Sequence, residues 1–152
     1  MLSFYRQCTQ PYIGRLNRKA TRTVYEKMRL CLMGPFDSEQ EFDEWCLARV
    51  KSAAARVKWS VLLPRVRGSD SGKFVLTHGD LAARNIMVED GVVTGIVDWE
   101  NGGFLSEYME YVMPTQICSY HEEWWKLVLK EILEPCGEKR LEFQALIANR
   151  GY

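Results

Sequence analysis

Three oxygen-bearing side chains, those of Asp80, Asn85 and Asp98, stand at spacings that suit metal-assisted chemistry. Asp80 and Asn85 share one polar segment, and two runs typical of β-strands separate Asn85 from Asp98. Asp90-Gly91 lies between those runs and is a strong signal for a two-residue hairpin turn. Because a hairpin folds the chain back on itself, we expect Asn85 at its entrance and Asp98 at its exit to be neighbours, with Asp80 facing the same space.

Two carboxylates and an amide that converge suit a hard cation such as Mg²⁺. This ion takes one or two protein carboxylates and fills its other positions with water and phosphate oxygens. A further carboxylate nearby can orient or deprotonate a hydroxyl nucleophile. Phosphoryl transfer needs this combination, because the metal spreads the negative charge and the side chain places the acceptor. The pattern therefore predicts a metal-dependent site for phosphoryl transfer.

The stretch HGDLAARN at 78–85, followed by IVDWE at 96–100, resembles the catalytic loop and metal-binding motif of aminoglycoside phosphotransferase and choline kinase-like enzymes, in the version of the fungal-type branch. The Asp-x-x-x-x-Asn spacing is that of kinase catalytic loops. The resemblance implies that Asp80 is the catalytic base, Asn85 a metal ligand and Asp98 the main metal ligand. Weaker similarity extends to three further stretches, 34–36, 41–45 and 102–111.

The resemblance also implies a fold and a reaction. The fold is α+β: a protein-kinase-like C-terminal lobe, mostly helical, with a small β-hairpin that carries the catalytic and metal residues. One domain is expected over 1–152, with a basic linker segment over 1–36 and the lobe core over 37–152. The implied reaction is transfer of the γ-phosphate of ATP, or of GTP, to a small hydroxyl-bearing molecule, with Mg²⁺ as cofactor.

Two departures distinguish the motif from that of protein kinases. Gly79 occupies the position where those enzymes carry the arginine that pairs with a phosphorylated activation loop. Trp99-Glu100 replaces Phe-Gly, and no Ala-Pro-Glu segment follows. Both differences favour a small-molecule kinase over a protein kinase-like enzyme, which is the least favoured of the interpretations.

The sequence contains no Gly-x-Gly-x-x-Gly loop and no Val-Ala-Ile-Lys-like strand before the catalytic loop. A working kinase needs a loop over the phosphates and a lysine on a strand, so the chain is expected to represent a C-terminal lobe alone. Two interpretations follow: a phosphotransferase whose N-terminal lobe lies outside the chain, or a truncated, catalytically inactive binding module. In either case the surface that would meet an N-terminal lobe is expected to be uncovered and to favour self-association.

Further side chains near the motif have both a structural and a functional interpretation. His78 follows an apolar strand, so it is expected to bond the loop backbone rather than to transfer protons. Arg84 is expected to balance the acidic site, to touch phosphate, or to be a solvated surface residue. Glu100 is expected either to steady its loop or to lie near the metal. Four residues form either an acidic, aromatic acceptor wall or a stabilised helix start: Glu107, Tyr108, Glu110 and Tyr111.

Charge and composition narrow the class of protein. Lys plus Arg and Asp plus Glu both number 20, and the resulting zero net charge argues against a nucleic-acid partner bound by bulk charge. No apolar run approaches the roughly 18 residues of a membrane span, and the first residues lack the layout of a signal peptide. The 5 scattered cysteines include no Cys-x-x-Cys pair, which favours free thiols in a reducing compartment. We therefore expect a cytoplasmic protein without a membrane partner.

Apolar spacing predicts the helices around the motif. Ser38 and Glu41 make a Ser-x-x-Glu capping box, and the helix that begins there is predicted to have one apolar face over 42–57. Pro64 and the stretch 67–72 are predicted to break this pattern as an exposed loop. Helices are further predicted at three places: after Ser106 up to Pro114, from His121 to Pro135, and over about 138–149.

Overall fold

The computed structural model of the protein describes residues 2–23, 25, 31–67, 73–117 and 122–149. Three sequence-based predictions fall outside these ranges: most of the exposed loop at 67–72, the predicted helix start at His121, and the state of the Cys118 thiol. The described cysteines form no disulfide with one another: Cys8, Cys31, Cys46 and Cys136. Within the described ranges, no helix is long and apolar enough to cross a lipid bilayer.

The described strands are short, and they form small antiparallel sheets. Their bounds are β1 Thr9–Gln10, β2 Thr21–Arg22, β3 Leu32–Met33, β4 Phe74–Thr77, β5 Ile86–Glu89, β6 Val92–Ile96 and β7 Gly103–Leu105. One sheet has the order β1-β4-β7, and the pairs β2-β3 and β5-β6 form two more.

The helices pack around these sheets. Their bounds are α1 Leu2–Tyr5, α2 Glu39–Leu47, α3 Ala53–Val66, α4 Met109–Val112, α5 Glu123–Ile132 and α6 Glu138–Ala148. Single 3₁₀ turns occur at Leu16–Arg18, Ala83–Asn85 and Trp99–Asn101, and a π turn follows α4 over Met113–Ile117. This mixture of helices and small sheets is an α+β arrangement that is compatible with a kinase-like fold.

The central strand of the three-stranded sheet leads directly into the candidate site. β4 lies between β1 and β7, with Val75 paired to both Thr9 and Leu105. The side chains of Phe74 and Thr77 at its two ends are buried, so the strand is held on both edges and at both ends. The chain therefore enters the loop at His78 from a fixed direction.

The segment before residue 37, expected to be a linker, packs onto the rest of the chain. It supplies β1 to the sheet, and the side chains of Ile13 and Met33 are buried in the main core. That core lies between α2, α3, α6 and the sheet, with Phe42, Leu63 and Phe143 among its members. A smaller apolar cluster lies under the β5-β6 hairpin, built from Leu81, Leu129 and Leu133.

The helix predicted over 42–57 is two helices, so the prediction of one continuous helix is wrong. Its start is confirmed, because the Ser38 hydroxyl accepts a hydrogen bond from the Glu41 amide at 3.1 Å. α2 ends at Leu47, and a second serine, Ser52, then caps α3 by accepting from the Ala55 amide at 3.3 Å. Val50 is buried in the connection between them, which is why apolar spacing continues across the break.

The predicted break at Pro64 is also wrong, because α3 continues through Pro64 to Val66. Proline removes one backbone donor and crowds the preceding turn. Pro64 lies on the exposed face in the last turn of the helix, where water can reach the carbonyl that lost its donor. Pro114 behaves as predicted, since regular helix stops at Val112 and the π turn follows.

Candidate active site

The β5-β6 hairpin has the two-residue turn that the sequence predicts. Glu89 pairs with Val92, and between them Asp90 and Gly91 have φ angles of 50° and 76°. Positive φ at both central residues is the requirement of a type I′ turn, whose twist matches that of the flanking strands. The hairpin prediction is therefore confirmed.

The open end of the hairpin places Asn85 and Asp98 on adjacent strand ends. The Val97 amide donates to the Asn85 carbonyl at 2.9 Å, and Ile86 pairs with Ile96. Asn85 is 4% exposed, whereas the Asp98 side chain lies at the surface. Convergence of the two side chains on one cation stays a prediction, and the backbone pairing is the geometry that it requires.

Asp98 has a left-handed backbone, with φ 64° and ψ 59°. For a residue other than glycine this conformation costs about 1–2 kcal/mol, although aspartate tolerates it better than most. Backbone strain of this kind clusters at functional sites, where the surrounding structure holds it in place. Trp99 supplies part of that support, because its indole Nε1 donates to the Ile96 carbonyl at 2.9 Å.

The loop from Asp80 to Asn85 closes on itself through side-chain hydrogen bonds. The Asn85 Nδ2 donates to the Asp80 carbonyl at 2.9 Å and to Asp80 Oδ2 at 3.3 Å. Arg84 Nη2 donates to the same Oδ2 at 2.7 Å. Asp80 is 4% exposed, so its carboxylate is held by two donors in a nearly buried position. The ion pair favours the interpretation in which Arg84 balances the acidic site.

The same contacts decide how Asn85 could bind a cation. Because Nδ2 is used as the donor toward Asp80, the side-chain oxygen of Asn85 is the atom left for a ligand role. An amide oxygen from Asn85 with the carboxylate of Asp98 is a donor set that fits Mg²⁺, whose other positions are filled by water and phosphate oxygens. Among the described residues, no three His, Cys, Asp or Glu side chains gather as a metal site. A cation at this place would therefore depend on the amide oxygen and the Asp98 carboxylate together with phosphate or water oxygens.

His78 bonds the backbone of the loop, in line with its structural interpretation. Its ring is 0% exposed, and Nδ1 accepts a hydrogen bond from the Asp80 amide at 3.2 Å. The ring proton must then lie on Nε2, which donates to the Val97 carbonyl at 2.8 Å. The neutral imidazole thus joins the loop that carries Asp80 to the residue directly before Asp98.

Glu110 lies beneath the loop. Its Oε2 accepts from the His78 amide at 2.7 Å, and its Oε1 accepts from the Gly79 amide at 3.2 Å. Oε2 also accepts from the Tyr5 hydroxyl at 3.0 Å. The residue is 1% exposed, so this carboxylate anchors the loop backbone from the core side. The sequence places Glu110 in an acceptor wall or a helix start, and the apolar neighbours Met109 and Met113 are the sequence signal for a core position.

Two of the other three residues of the predicted acceptor wall, Glu107 and Tyr111, line one cavity together with Glu110. Glu107 is exposed, and its carbonyl accepts from Arg6 at 2.6 Å. The Tyr108 ring packs against the guanidinium of Arg140, 4.8 Å from the ring centroid. Tyr111 packs on the small cluster under the hairpin. The acceptor wall at these residues stays a prediction.

Glu100 ties the turn after Asp98 to the basic N-terminal segment. Its Oε2 pairs with Arg22 Nη1 at 2.6 Å, and its carbonyl accepts from the Arg15 guanidinium. Thr21 adds a contact to the Gly102 carbonyl at 3.4 Å. These contacts favour the interpretation in which Glu100 steadies the loop. They also give part of the N-terminal basic cluster a role in placing Asp98.

Gly79 cannot carry a side chain without displacing its neighbours. Its φ is 82°, and a Cβ built on it would lie 2.9 Å from the Asn101 carbonyl oxygen and 2.9 Å from the Met113 methyl group. Positive φ together with a backbone atom at this distance is a combination that only glycine accommodates. The glycine that distinguishes this loop from that of protein kinases is therefore required by the local packing.

Gly79→Ala is expected to lower the free energy of unfolding by about 2–4 kcal/mol, from left-handed strain and overpacking together. Urea unfolding of the purified chain measures the effect. Gly91→Ala is the matched control, because Gly91 has φ 76° but no atom within 4 Å of the built Cβ. That variant should lose only about 1 kcal/mol. Equal losses in the two variants would contradict the steric argument.

The fold is compatible with that of a kinase-like protein, and its Asp-x-x-x-x-Asn loop precedes a hairpin that ends at a second aspartate. A family model described as the phosphotransferase enzyme family, APH, matches residues 3–106, about two thirds of the chain. The chain belongs to this family, and membership indicates phosphotransferase activity in general. The matched region includes the N-terminal segment as well as the loop and hairpin. Comparison with curated proteins and with solved structures found no match.

Proposed function

We propose that the protein is the catalytic-loop lobe of an ATP- and Mg²⁺-dependent small-molecule kinase of the aminoglycoside phosphotransferase type, in its fungal-type branch, with a hydroxyl group as the phosphate acceptor. One observation carries this proposal. Asp80 and Asn85 are hydrogen-bonded into one loop at the base of a hairpin, and the chain leaves that hairpin at Asp98 in a strained, left-handed conformation.

Each side chain has a defined part in the proposed reaction. Asp80 orients the acceptor hydroxyl and takes its proton, and the contacts of its Oδ2 with Arg84 and Asn85 fix the plane of the carboxylate. Asn85 and Asp98 would hold Mg²⁺, which neutralises charge on the phosphates when bound. His78 and Glu110 hold the loop backbone in the geometry that these roles need.

We further propose that a phosphate-covering loop and its lysine come from an N-terminal lobe outside these 152 residues. The exposed apolar side chains of the hairpin support an uncovered surface: Met87 is 53%, Val88 59% and Val92 64% exposed. Exposed apolar surface often marks a contact site. Without its N-terminal lobe the chain would self-associate through the hairpin, and the assembled enzyme would act in the cytoplasm.

The alternative function is a catalytically inactive binding module with the same shape. The missing Gly-rich loop favours it, whereas a module without catalytic selection has no need of the strained Asp98 backbone. A protein kinase-like activity is disfavoured by Gly79, because the packing around that residue excludes the arginine on which activation-loop switching depends.

Titration of the purified chain with Mg-ATP tests the proposal. The adenine and phosphates would meet only one of two lobes, so binding would depend mainly on Mg²⁺-bridged contacts to solvent-accessible groups. We expect a Kd near ~1 mM, about −4 kcal/mol, because exposed charges are screened and the metal has good ligands in water. Asp98→Asn is expected to weaken binding about tenfold or more, as loss of a charged ligand contact implies.

Asp90→Asn is the matched control for this titration. Asp90 lies on the same hairpin, is exposed and has a positive φ like Asp98, but it sits in the turn at the far end. Its replacement should leave the affinity unchanged. Low-micromolar affinity of the chain would show that a second lobe is not needed. Equal affinities of the Asp98→Asn variant and the parent chain would remove Asp98 from the metal-binding role.

A further inference from the structure

We propose that Tyr5 is a positioning residue that couples the loop carrying Asp80 to the turn that follows Asp98. The proposal rests on the function proposed above for those two aspartates. Tyr5 ends α1 and its side chain is buried. Its hydroxyl and its ring make two separate contacts, and each contact leads to one of the two aspartates.

The hydroxyl contact leads to Asp80 through Glu110. The Tyr5 hydroxyl donates to Glu110 Oε2 at 3.0 Å, and the same oxygen accepts from the His78 amide at 2.7 Å. Arg6 Nη1 lies 3.9 Å from Oε2, beyond hydrogen-bond distance. A buried carboxylate is stable only when donors surround it. Tyr5 is therefore the side-chain donor that satisfies the group on which the loop backbone rests.

Titration does not interrupt this contact near neutral pH. Burial, and then the charge of Glu110 and the hydrogen bond to it, raise the pKa of Tyr5 well above its ordinary value. The phenol thus keeps its proton and stays a donor. Arg6 adds a second tether at the same end of α1, because its Nη2 donates to the Glu107 carbonyl at 2.6 Å.

The ring contact leads to Asp98 through Trp99. The rings of Tyr5 and Trp99 meet edge to face, with centroids 5.2 Å apart and an interplanar angle of 85°. Trp99 meets the His78 ring in the same manner, with centroids 4.6 Å apart. Edge-to-face contacts are directional, so they hold an indole at a set angle. Trp99 directly follows Asp98, whose left-handed backbone needs such support.

The two contacts make α1 a common support for the two arms of the site, by which we mean the loop that carries Asp80 and the turn that follows Asp98. His78 is the internal link between the arms, since its Nε2 donates to Val97. Tyr5 is the external link, made by a residue far from both in sequence. A shift of α1 would therefore loosen the Glu110 anchor and the Trp99 contact together, and would change the separation of Asp80 and Asp98.

Amide hydrogen exchange by NMR on the purified chain tests each contact. Tyr5→Phe removes the hydroxyl and keeps the ring, so the His78 and Gly79 amides should exchange about tenfold faster, with the Trp99 indole signal unchanged. Tyr5→Leu removes both contacts, so it should give the same acceleration and also shift the Trp99 indole signal. In Glu110→Gln, a second change of Tyr5→Phe should add little, because the two residues act through one contact.

Tyr12→Phe is the matched control. Tyr12 is another buried tyrosine of the N-terminal segment, and its hydroxyl accepts from the Arg18 amide at 3.3 Å. Its loss should leave the His78 and Gly79 amides as they are. The proposal is overturned if Tyr5→Phe accelerates those amides no more than Tyr12→Phe does. It is also overturned if all protected amides accelerate in proportion to a loss of global stability.

A nucleotide titration separates this proposal from the proposed function. Tyr5→Leu should weaken Mg-ATP binding about threefold, as coupling through a supporting residue implies, and Tyr12→Phe should not. Faster amide exchange with unchanged nucleotide affinity would refute the positioning role. If the parent chain binds no Mg-ATP at all, the proposed function fails, while the exchange measurements still decide whether Tyr5 couples the two arms.

Discussion

Asp80→Asn is expected to lower the turnover of the enzyme, assembled with an N-terminal lobe, by about 10²–10⁴-fold. The variant keeps the size of the side chain and an oxygen that can accept from Arg84, so the loop should retain its shape. What it loses is the ability to take a proton from the acceptor hydroxyl. Nucleotide affinity should be unchanged, because a general base acts on the acceptor and not on ATP.

Measurement of kcat together with the nucleotide Kd separates these two effects. Asp90→Asn serves again as the control, since it removes an exposed carboxylate of the same hairpin outside the proposed machinery. It should leave kcat unchanged. Unchanged turnover in Asp80→Asn would remove Asp80 from the role of base, and a parallel loss of nucleotide binding would show that its part is structural.

Arg140→Met is expected to cost about 3–5 kcal/mol of stability at neutral pH, the range found when one member of a buried ion pair is removed. Arg140 is 3% exposed. Its Nη1 donates to Asp43 Oδ1 at 2.6 Å, and its Nη2 donates to Glu39 Oε1 at 2.5 Å. These contacts fasten α6 to α2. The variant would leave Glu39 without its cation and Asp43 with Arg67 alone, at 2.8 Å.

The cost of this variant should fall as the pH falls. Burial raises the pKa of Glu39, and Arg140 opposes that rise. A carboxyl whose folded pKa is raised binds its proton more readily in the folded than in the unfolded chain, so the folded state gains from acid and loses as the pH rises. Removal of Arg140 raises the pKa of Glu39 further. The deficit should therefore be largest at pH ~7 and smaller at pH ~5.

Urea unfolding of both chains at the two pH values checks this expectation. Lys139→Met is the matched control, because Lys139 is the neighbouring cation on α6 and pairs with Glu142 at 2.8 Å at the surface. An exposed pair of this kind contributes little to stability because water and salt screen it, so this variant should unfold much like the parent chain. A deficit of equal size at both pH values would contradict the account of Glu39, and a small deficit at pH ~7 would contradict the importance of the buried cluster.

The features predicted correctly from the sequence depend on residues close together in the chain. The hairpin turn needs only Asp90-Gly91 between two strand-like runs, and the start of α2 needs only Ser38 and its neighbours. The last helix was predicted over about 138–149 and spans Glu138–Ala148. In each case the backbone conformation is decided within a few residues, so the local pattern carries the information.

The features that sequence patterns missed depend on partners far along the chain. The polar residues Arg140 and Gln144 lie on the buried face of α6. Arg140 is buried because Asp43, 97 positions away, accepts from it. The extended conformation of β1 likewise depends on a distant partner, because β1 forms its backbone hydrogen bonds with β4. A pattern that scores hydrophobicity alone places such residues at the surface.

The candidate site also combines contacts within one short segment with contacts between residues far apart in the sequence. The Asp80–Asn85 contacts arise within one loop, and the motif anticipates them. The anchoring of that loop by Glu110 spans more than thirty positions, with a separation of 32 between His78 and Glu110. Glu100 is held by Arg22 and Arg15, which lie far before it in the sequence. The tertiary fold therefore supplies the supports, while the motif supplies the groups that they hold.

The type I′ turn at the far end of the β5-β6 hairpin is a suitable site for attaching a label. Each strand rises about 3.4 Å per residue, so the turn at Asp90-Gly91 lies well over 10 Å from the paired ends at Asn85 and Val97. No atom lies within 4 Å of a Cβ built at Gly91. A dye attached there, or extra residues inserted there, would project into water and leave the register of the strands intact. The hairpin can thus carry a reporter at one end without altering the groups at the other.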